Sequence, residues 1–127
     1  MARSGERLVR EVVEFAHSKK AENVVSMDLR GLTSACDFFV ICEGGSDVHV
    51  KAIADAVIDG TKKADDRPWH VEGYDGRRWI LIDYVDVVVH IFTHDARDFY
   101  QLERLWGDAG ITEYEDEGVK QPTGGDA

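Results

Sequence analysis

EGYDGRRWILIDYVDVVVHIFTHDARDFYQLERLWGD, residues 72 to 108, decides the fold, because it holds two apolar runs, a tight acidic turn and a helical repeat. Arg78 to Ile82 and Val87 to Phe92 read as strands, since Val, Ile, Trp and Tyr fit a half-buried pleated surface. Asp83-Tyr84-Val85-Asp86 reads as the turn between them. After Thr93, an expected N-cap, Asp95 places a carboxylate in the positive first turn of a helix. Phe99, Leu102 and Leu105 or Trp106 recur at helical spacing, and Gly107 is placed to stop the helix.

Counting outward from Tyr84 and Val85 sets an expected register. Asp83 faces Asp86, Ile82 faces Val87, Leu81 faces Val88, Ile80 faces Val89 and Trp79 faces His90. Side chains alternate across a strand, so Ile80, Ile82, Val87, Val89 and Ile91 share one face. Trp79, Leu81, Val88 and His90 share the other with the aspartates. The first set is a core face. The second is an aliphatic and aromatic patch edged by carboxylates, which fits either a second buried layer or a docking face.

Working outward, a first helix starts after Ser4, with Leu8, Val12 and Ala16 on its apolar stripe beside Val9, Val13 and Phe15. Asn23 to Leu29 and Asp37 to Cys42 read as strands, the second apolar almost throughout and so suited to a central position. Glu43-Gly44-Gly45-Ser46-Asp47 is a strand-to-helix turn in which Ser46 or Asp47 can cap. Val50, Ile53, Ala54, Val57 and Ile58 form the stripe of the helix that follows, which ends near Gly60 or a few residues later. Pro68 limits Pro68 to Val71 to an edge strand or a strand start. The order predicts an α/β domain with one mixed sheet of about five strands flanked by helices. That domain spans residues 1–109. Residues 110–127 are an acidic tail, expected to be disordered from Thr112 onward.

The chain has 127 residues, 43% hydrophobic and 31% charged, the make-up of one soluble domain. No apolar run is long enough for a membrane span, and MARSGERLVR has no signal core, so a cytoplasmic location is expected. The formal charge is −10. From Asp108 onward six acids stand against one lysine, so the tail carries −5 and residues 1–107 the other −5. Such a balance argues against phosphate backbones as the main target and favours a basic protein partner or none. Arg77-Arg78 and Lys62-Lys63 read as solvated charge. Cys36 and Cys42 form neither a disulfide frame nor a zinc set.

A Gly-Ser turn opening a helix can hold phosphates on backbone amides. Nucleotidyl transfer also needs two carboxylates one residue apart on a following strand to hold magnesium. That pair is absent: Asp55 and Asp59 lie within the helix, and Asp47 would repel a phosphate. His90 and His94 are four apart but on a strand and a helix start, so no zinc motif results. Asp83 and Asp86 resemble an acid/base pair without a nucleophile nearby. No cofactor, metal or catalytic residue is therefore expected.

DFFVICEGGSDVHVKAIAD (37–55), EGYDGRRWILIDYVDVVVHIF (72–92) and ARDFYQLERLWGDA (96–109) together closely resemble the ribosomal silencing factors, the Iojap-related family. The resemblance spans about residues 5–109 in order. It implies a non-enzymatic translation repressor that binds the large ribosomal subunit through its fourteenth protein and sterically blocks subunit association when nutrients are scarce. It also implies an α/β sandwich similar to the nucleotidyltransferase core without its metal carboxylates, and homodimers. The family's ribosome-facing tryptophan matches Trp79, and its acidic turn matches Asp83 and Asp86, with Tyr84 between them. Strand alternation adds Leu81, Val88 and His90 to the expected partner-binding set. A divergent nucleotide-binding protein is the alternative, with its site near Ser46.

Overall fold

The computed structural model describes residues 5–100, 104, 107 and 109–115. Helix α1 (Gly5–His17) is followed by strands β1 (Glu22–Asp28) and β2 (Phe38–Gly44), helix α2 (Asp47–Lys63), and strands β3 (His70–Glu72), β4 (Trp79–Asp83) and β5 (Val87–Thr93). Helix α3 (His94–Tyr100) and strand β6 (Gly110–Tyr114) complete the described elements. They form one sheet in the order β3-β4-β5-β2-β1-β6. Only β2 and β5 pair in parallel among the described strands; the remaining neighbours are antiparallel. The sheet is mixed, as expected.

Its sixth strand is not what composition predicts. Gly110–Tyr114 pairs antiparallel with β1, from Val24 opposite Tyr114 to Asp28 opposite Gly110. The sheet therefore continues past residue 109, to Tyr114. The burial pattern explains why the strand escapes a hydrophobicity reading: four of its residues are exposed, and only Tyr114 turns inward, where its hydroxyl meets Ser26 Oγ at 2.9 Å. Backbone pairing on a sheet edge needs no apolar side chains. Residues 116–127 lie outside those described.

One face of the sheet carries the main core. Ile80, Ile82, Val87, Val89 and Ile91 are fully buried there with Val40, Cys42 and the stripes of α1 and α2, including Val12, Val50, Ile53 and Val57. Each such aliphatic side chain contributes roughly 1.5–3 kcal/mol by leaving water. The other face holds a smaller cluster of Val25, Met27, Leu29, Cys36, Ile41 and Phe92, covered at one end by Ala96 of α3. Phe39, Trp79 and Val88 pack against it and remain partly open.

The β4–β5 register differs from the expectation. Asp83 pairs with Val88, Ile82 with Val89, Leu81 with His90, Ile80 with Ile91 and Trp79 with Phe92. The connection is longer because Asp86 leaves the ladder: its carbonyl accepts N–H bonds from Asp37 and Phe38 at 2.8 and 3.1 Å, tying the turn to the start of β2. Val85 takes a left-handed conformation, φ 78°. Its N–H is held by Asp83 Oδ1 at 2.7 Å, while the Tyr84 N–H reaches the Val87 carbonyl at 2.8 Å. The partner of each residue moves by an even number of positions, from Val87 to Val89 opposite Ile82, so the assignment of side chains to faces is unchanged. At the far end, Thr93 stands directly before α3, in the N-cap position, with Asp95 in the first turn. The Thr93 hydroxyl donates to Asp95 Oδ1 at 2.9 Å, and that bond comes first among the contacts that hold the Asp95 carboxyl below its usual range. The side chains of Phe99, Leu102, Leu105 and Trp106 lie outside the described residues.

Candidate partner-binding groove

The open part of the second sheet face forms a groove of about 540 Å³. Leu81, Val88 and His90 of the hairpin line it, with Phe39 from β2 and Leu29 and Cys36 from the segment between β1 and β2. Trp69, Asp83 and Val85 stand at its mouth. The Trp69 main chain is fixed there, because its N–H donates to the Asp83 carbonyl at 2.7 Å. Its side chain is 72% exposed and that of Val85 55% exposed. Neither exposure stabilises the fold. A β-branched residue at positive φ is a genuine backbone outlier, and such strain gathers at functional sites.

The rim is acidic. Burial pushes the Cys36 thiol up, and the nearby carboxylates of Asp37, Asp83 and Asp86 push it further. Three negative charges therefore converge at this end of the groove, and the thiol is held in its unreactive protonated form. Cys42, fully buried on the opposite face, is pushed up to about 12. Neither cysteine is set up as a nucleophile.

Below the groove, Trp79 is partly buried, its ring 5.1 Å from that of Phe92 and 5.8 Å from that of His90. Its Nε1–H donates to His90 Nδ1 at 3.0 Å. His90 is 4% exposed, and burial lowers its pKa to about 3, so the ring is neutral at physiological pH. Because Nδ1 accepts the indole proton, the imidazole proton resides on Nε2.

Of the residues expected from sequence to meet a partner, Leu81, Asp83, Val88 and His90 line the groove and Asp86 lies exposed on its rim. Trp79 supports the floor through His90. Tyr84 does not belong with them. It packs against the main core on the opposite face and donates its hydroxyl to Thr61 Oγ1 at 2.8 Å, while Thr61 donates to the Val57 carbonyl at 2.9 Å. Burial pushes the Tyr84 phenol up to about 12. The turn geometry trades the two tip residues, so Val85 takes the outward place. Sequence reading also missed Trp69 and Phe39. Alternation along β2 would have placed Phe39 beside Val88, its ladder partner. No sequence signal marks Val85 as left-handed.

At the start of α2, the turn that a nucleotide would need is already occupied by the protein. Ser46 caps the helix by accepting the His49 N–H at 3.1 Å, and Asp47 Oδ1 accepts the Val48 N–H at 2.9 Å. The Gly45 N–H donates to His49 Nδ1 at 2.9 Å, and the Val50 N–H to the Ser46 carbonyl at 2.9 Å. His49 Nε2 then donates to the Lys19 carbonyl at 2.7 Å, pinning the turn to the chain after α1. A Cβ at Gly44 would lie 2.9 Å from Val50 N, so glycine is needed for close packing here. Asp55 is likewise engaged, with Lys51 at 2.8 Å and the Tyr74 hydroxyl at 2.6 Å.

His94 pairs with Glu43, and Glu43 Oε2 meets Arg97 at 3.0 Å; Arg97 also reaches the Asn23 carbonyl at 2.5 Å. This network clamps α3 onto the ends of β1 and β2. His94 therefore serves a structural ion pair separate from His90.

A sequence model described as "Ribosomal silencing factor during starvation" matches residues 2–127. The chain belongs to the ribosomal silencing factor family. It is 42% identical over 112 residues to a ribosomal silencing factor of Halalkalibacterium halodurans, covering 88% of this chain and 96% of that one. A Bacillus subtilis ribosomal silencing factor is 42% identical over 95 residues, 75% of this chain and 80% of the relative. The mitochondrial Iojap-related protein of Arabidopsis thaliana is 36% identical over 101 residues, 76% of this chain and 54% of that protein. A solved Chromobacterium violaceum structure superposes with a TM-score of 0.81 at 30% identity, over 83% of this chain and 88% of the other. One from Bacillus halodurans gives 0.77 at 38% identity, over 87% and 100%. The α/β architecture is thus common to this chain and the solved structures it resembles. Among the described residues, no helix is long and apolar enough to cross a membrane.

Proposed function

We propose that this chain binds the large ribosomal subunit through its fourteenth protein, covers the surface where the small subunit docks, and so represses translation when nutrients are scarce. It does this by steric occlusion in the cytoplasm, without catalysis. The observation that carries the reading is the acid-rimmed apolar groove: Leu81 and Val88 in its wall, Trp69 and Val85 exposed at its mouth, and Asp37, Asp83 and Asp86 around one end. Aromatic and aliphatic anchors surrounded by charge are the composition of an interface centre. Carboxylates at its rim speed encounter with a basic ribosomal protein.

Co-sedimentation with isolated large subunits, small subunits and joined ribosomes tests this. Binding to free large subunits alone, with fewer joined ribosomes after reassociation, is the expected result. Leu81→Asp, which places a charge in the groove wall, should weaken that binding about tenfold or more. Binding to small subunits alone, or undiminished subunit joining at saturation, would refute the mechanism.

A further inference from the structure

The His90 imidazole contains a polar group the fold leaves unused. Its Nδ1 is satisfied by Trp79, which fixes the proton on Nε2, and that Nε2–H finds no acceptor among the described residues although the ring is 96% buried. A buried donor without a partner costs the folded chain free energy that a bound acceptor would restore. His90 lines the groove, and Phe39 stands edge-on to it with ring centroids 4.5 Å apart. Phe39 lines the same groove and is only partly buried, and a partner reaching His90 must displace its side chain.

We propose that His90 is a specificity-determining residue of the groove: its Nε2–H bonds a neutral oxygen, such as a main-chain carbonyl, on a basic protein segment that seats an apolar side chain against Leu81 and Val88. This rests on the reading of the groove as the ribosome-binding surface. The chemistry selects among partner groups. A cation is excluded from this spot because the ring presents a donor and its lone pair is committed to Trp79. A carboxylate is opposed by Asp37, Asp83 and Asp86 nearby. A neutral acceptor flanked by apolar atoms satisfies the donor and keeps the pocket dry, while basic side chains of the same segment reach the acidic rim.

The test uses the whole chain and the purified fourteenth protein of the large subunit. A long-range proton–nitrogen spectrum of the free chain should show His90 as the Nε2–H tautomer. On saturation with the ribosomal protein, that proton should move downfield and exchange more slowly with water. In a Trp79→Phe background, where the indole donor is already gone, adding His90→Phe should weaken binding about fivefold further. An Nε2–H signal that stays put in the saturated complex overturns the proposal, as does equal affinity of the single and double variants. Should Trp79→Phe fail to fold, the spectrum of the unsubstituted chain decides. If the unsubstituted chain does not bind the ribosomal protein, the groove reading has failed and this inference falls with it; binding with an unmoved proton sinks the inference alone.

Discussion

Trp79 and His90 are joined diagonally across the hairpin: the indole Nε1–H donates to His90 Nδ1 at 3.0 Å, although the ladder pairs Trp79 with Phe92 and His90 with Leu81. Diagonal neighbours in an antiparallel pair lie within reach of long aromatic side chains. The bond gives a buried imidazole one tautomer. Trp79→Phe should therefore cost about 1–2 kcal/mol in urea unfolding, from the lost bond and part of the stacking on Phe92. It should also mix the two neutral His90 tautomers in nitrogen spectra. An unchanged, single tautomer in the variant would show that something other than the indole sets the proton.

The pH dependence of stability should carry the signatures of two histidines acting in opposite directions. His90 has its pKa lowered by burial to about 3 from an ordinary 6.5. The unfolded chain thus takes up a proton that the folded chain refuses, and stability falls progressively as the pH drops from about 6.5 toward about 3. His94 is raised, first by its bond to Glu43. Its contribution is complete below its ordinary 6.5 and is lost as the pH climbs through the raised value. Unfolding midpoints measured between pH 4 and pH 8 should lose much of the acid-side slope in His90→Phe and the alkaline-side slope in His94→Gln. Slopes untouched by these substitutions would assign the pH dependence to other groups.

Glu43 and Arg97 form an ion pair with side chains 11% and 10% exposed, and Glu43 also serves His94. Removing one member of a buried pair costs far more than the pair is worth, because the other charge stays behind. Glu43→Ala should lower stability by about 3 kcal/mol or more. Glu43→Leu combined with Arg97→Met should recover a large share of that loss. A double variant as unstable as the sum of its single substitutions would mean that the two side chains act independently.

Much of this arrangement is readable from residue order. Alternation of Ile80, Ile82, Val87, Val89 and Ile91 places the core face correctly even though the register is wrong, because the error is an even number of residues. Side-chain chemistry offers Ser46 or Asp47 as the cap of α2, and the structure uses Ser46. What escapes is set by distant backbone contacts. Asp86 bonds to Asp37 and Phe38, nearly fifty positions away, and that tie lengthens the turn and sends Tyr84 inward. Strand β6 joins the sheet through main-chain pairing with β1 and leaves little trace in its side chains. Trp69 is held at the groove by one backbone bond to Asp83.

The tip of the β4–β5 hairpin separates stability from binding within two adjacent residues. Tyr84 donates to the buried Thr61 hydroxyl, whereas Val85 stands 55% exposed at φ 78° beside the groove. Tyr84→Phe deletes one partly buried hydrogen bond and should cost about 1 kcal/mol with no change in affinity for large subunits. Val85→Gly should behave in the opposite way. Glycine removes left-handed strain of roughly 1–2 kcal/mol and adds about 0.5–1 kcal/mol of chain entropy to the unfolded state, so stability should stay level or rise slightly. Affinity should fall several-fold as the exposed isopropyl group disappears from the groove mouth. Denaturant unfolding and large-subunit co-sedimentation, run on both variants, read the two quantities separately. Weaker binding in Tyr84→Phe with full binding in Val85→Gly would mean that the partner contacts the opposite face of the sheet.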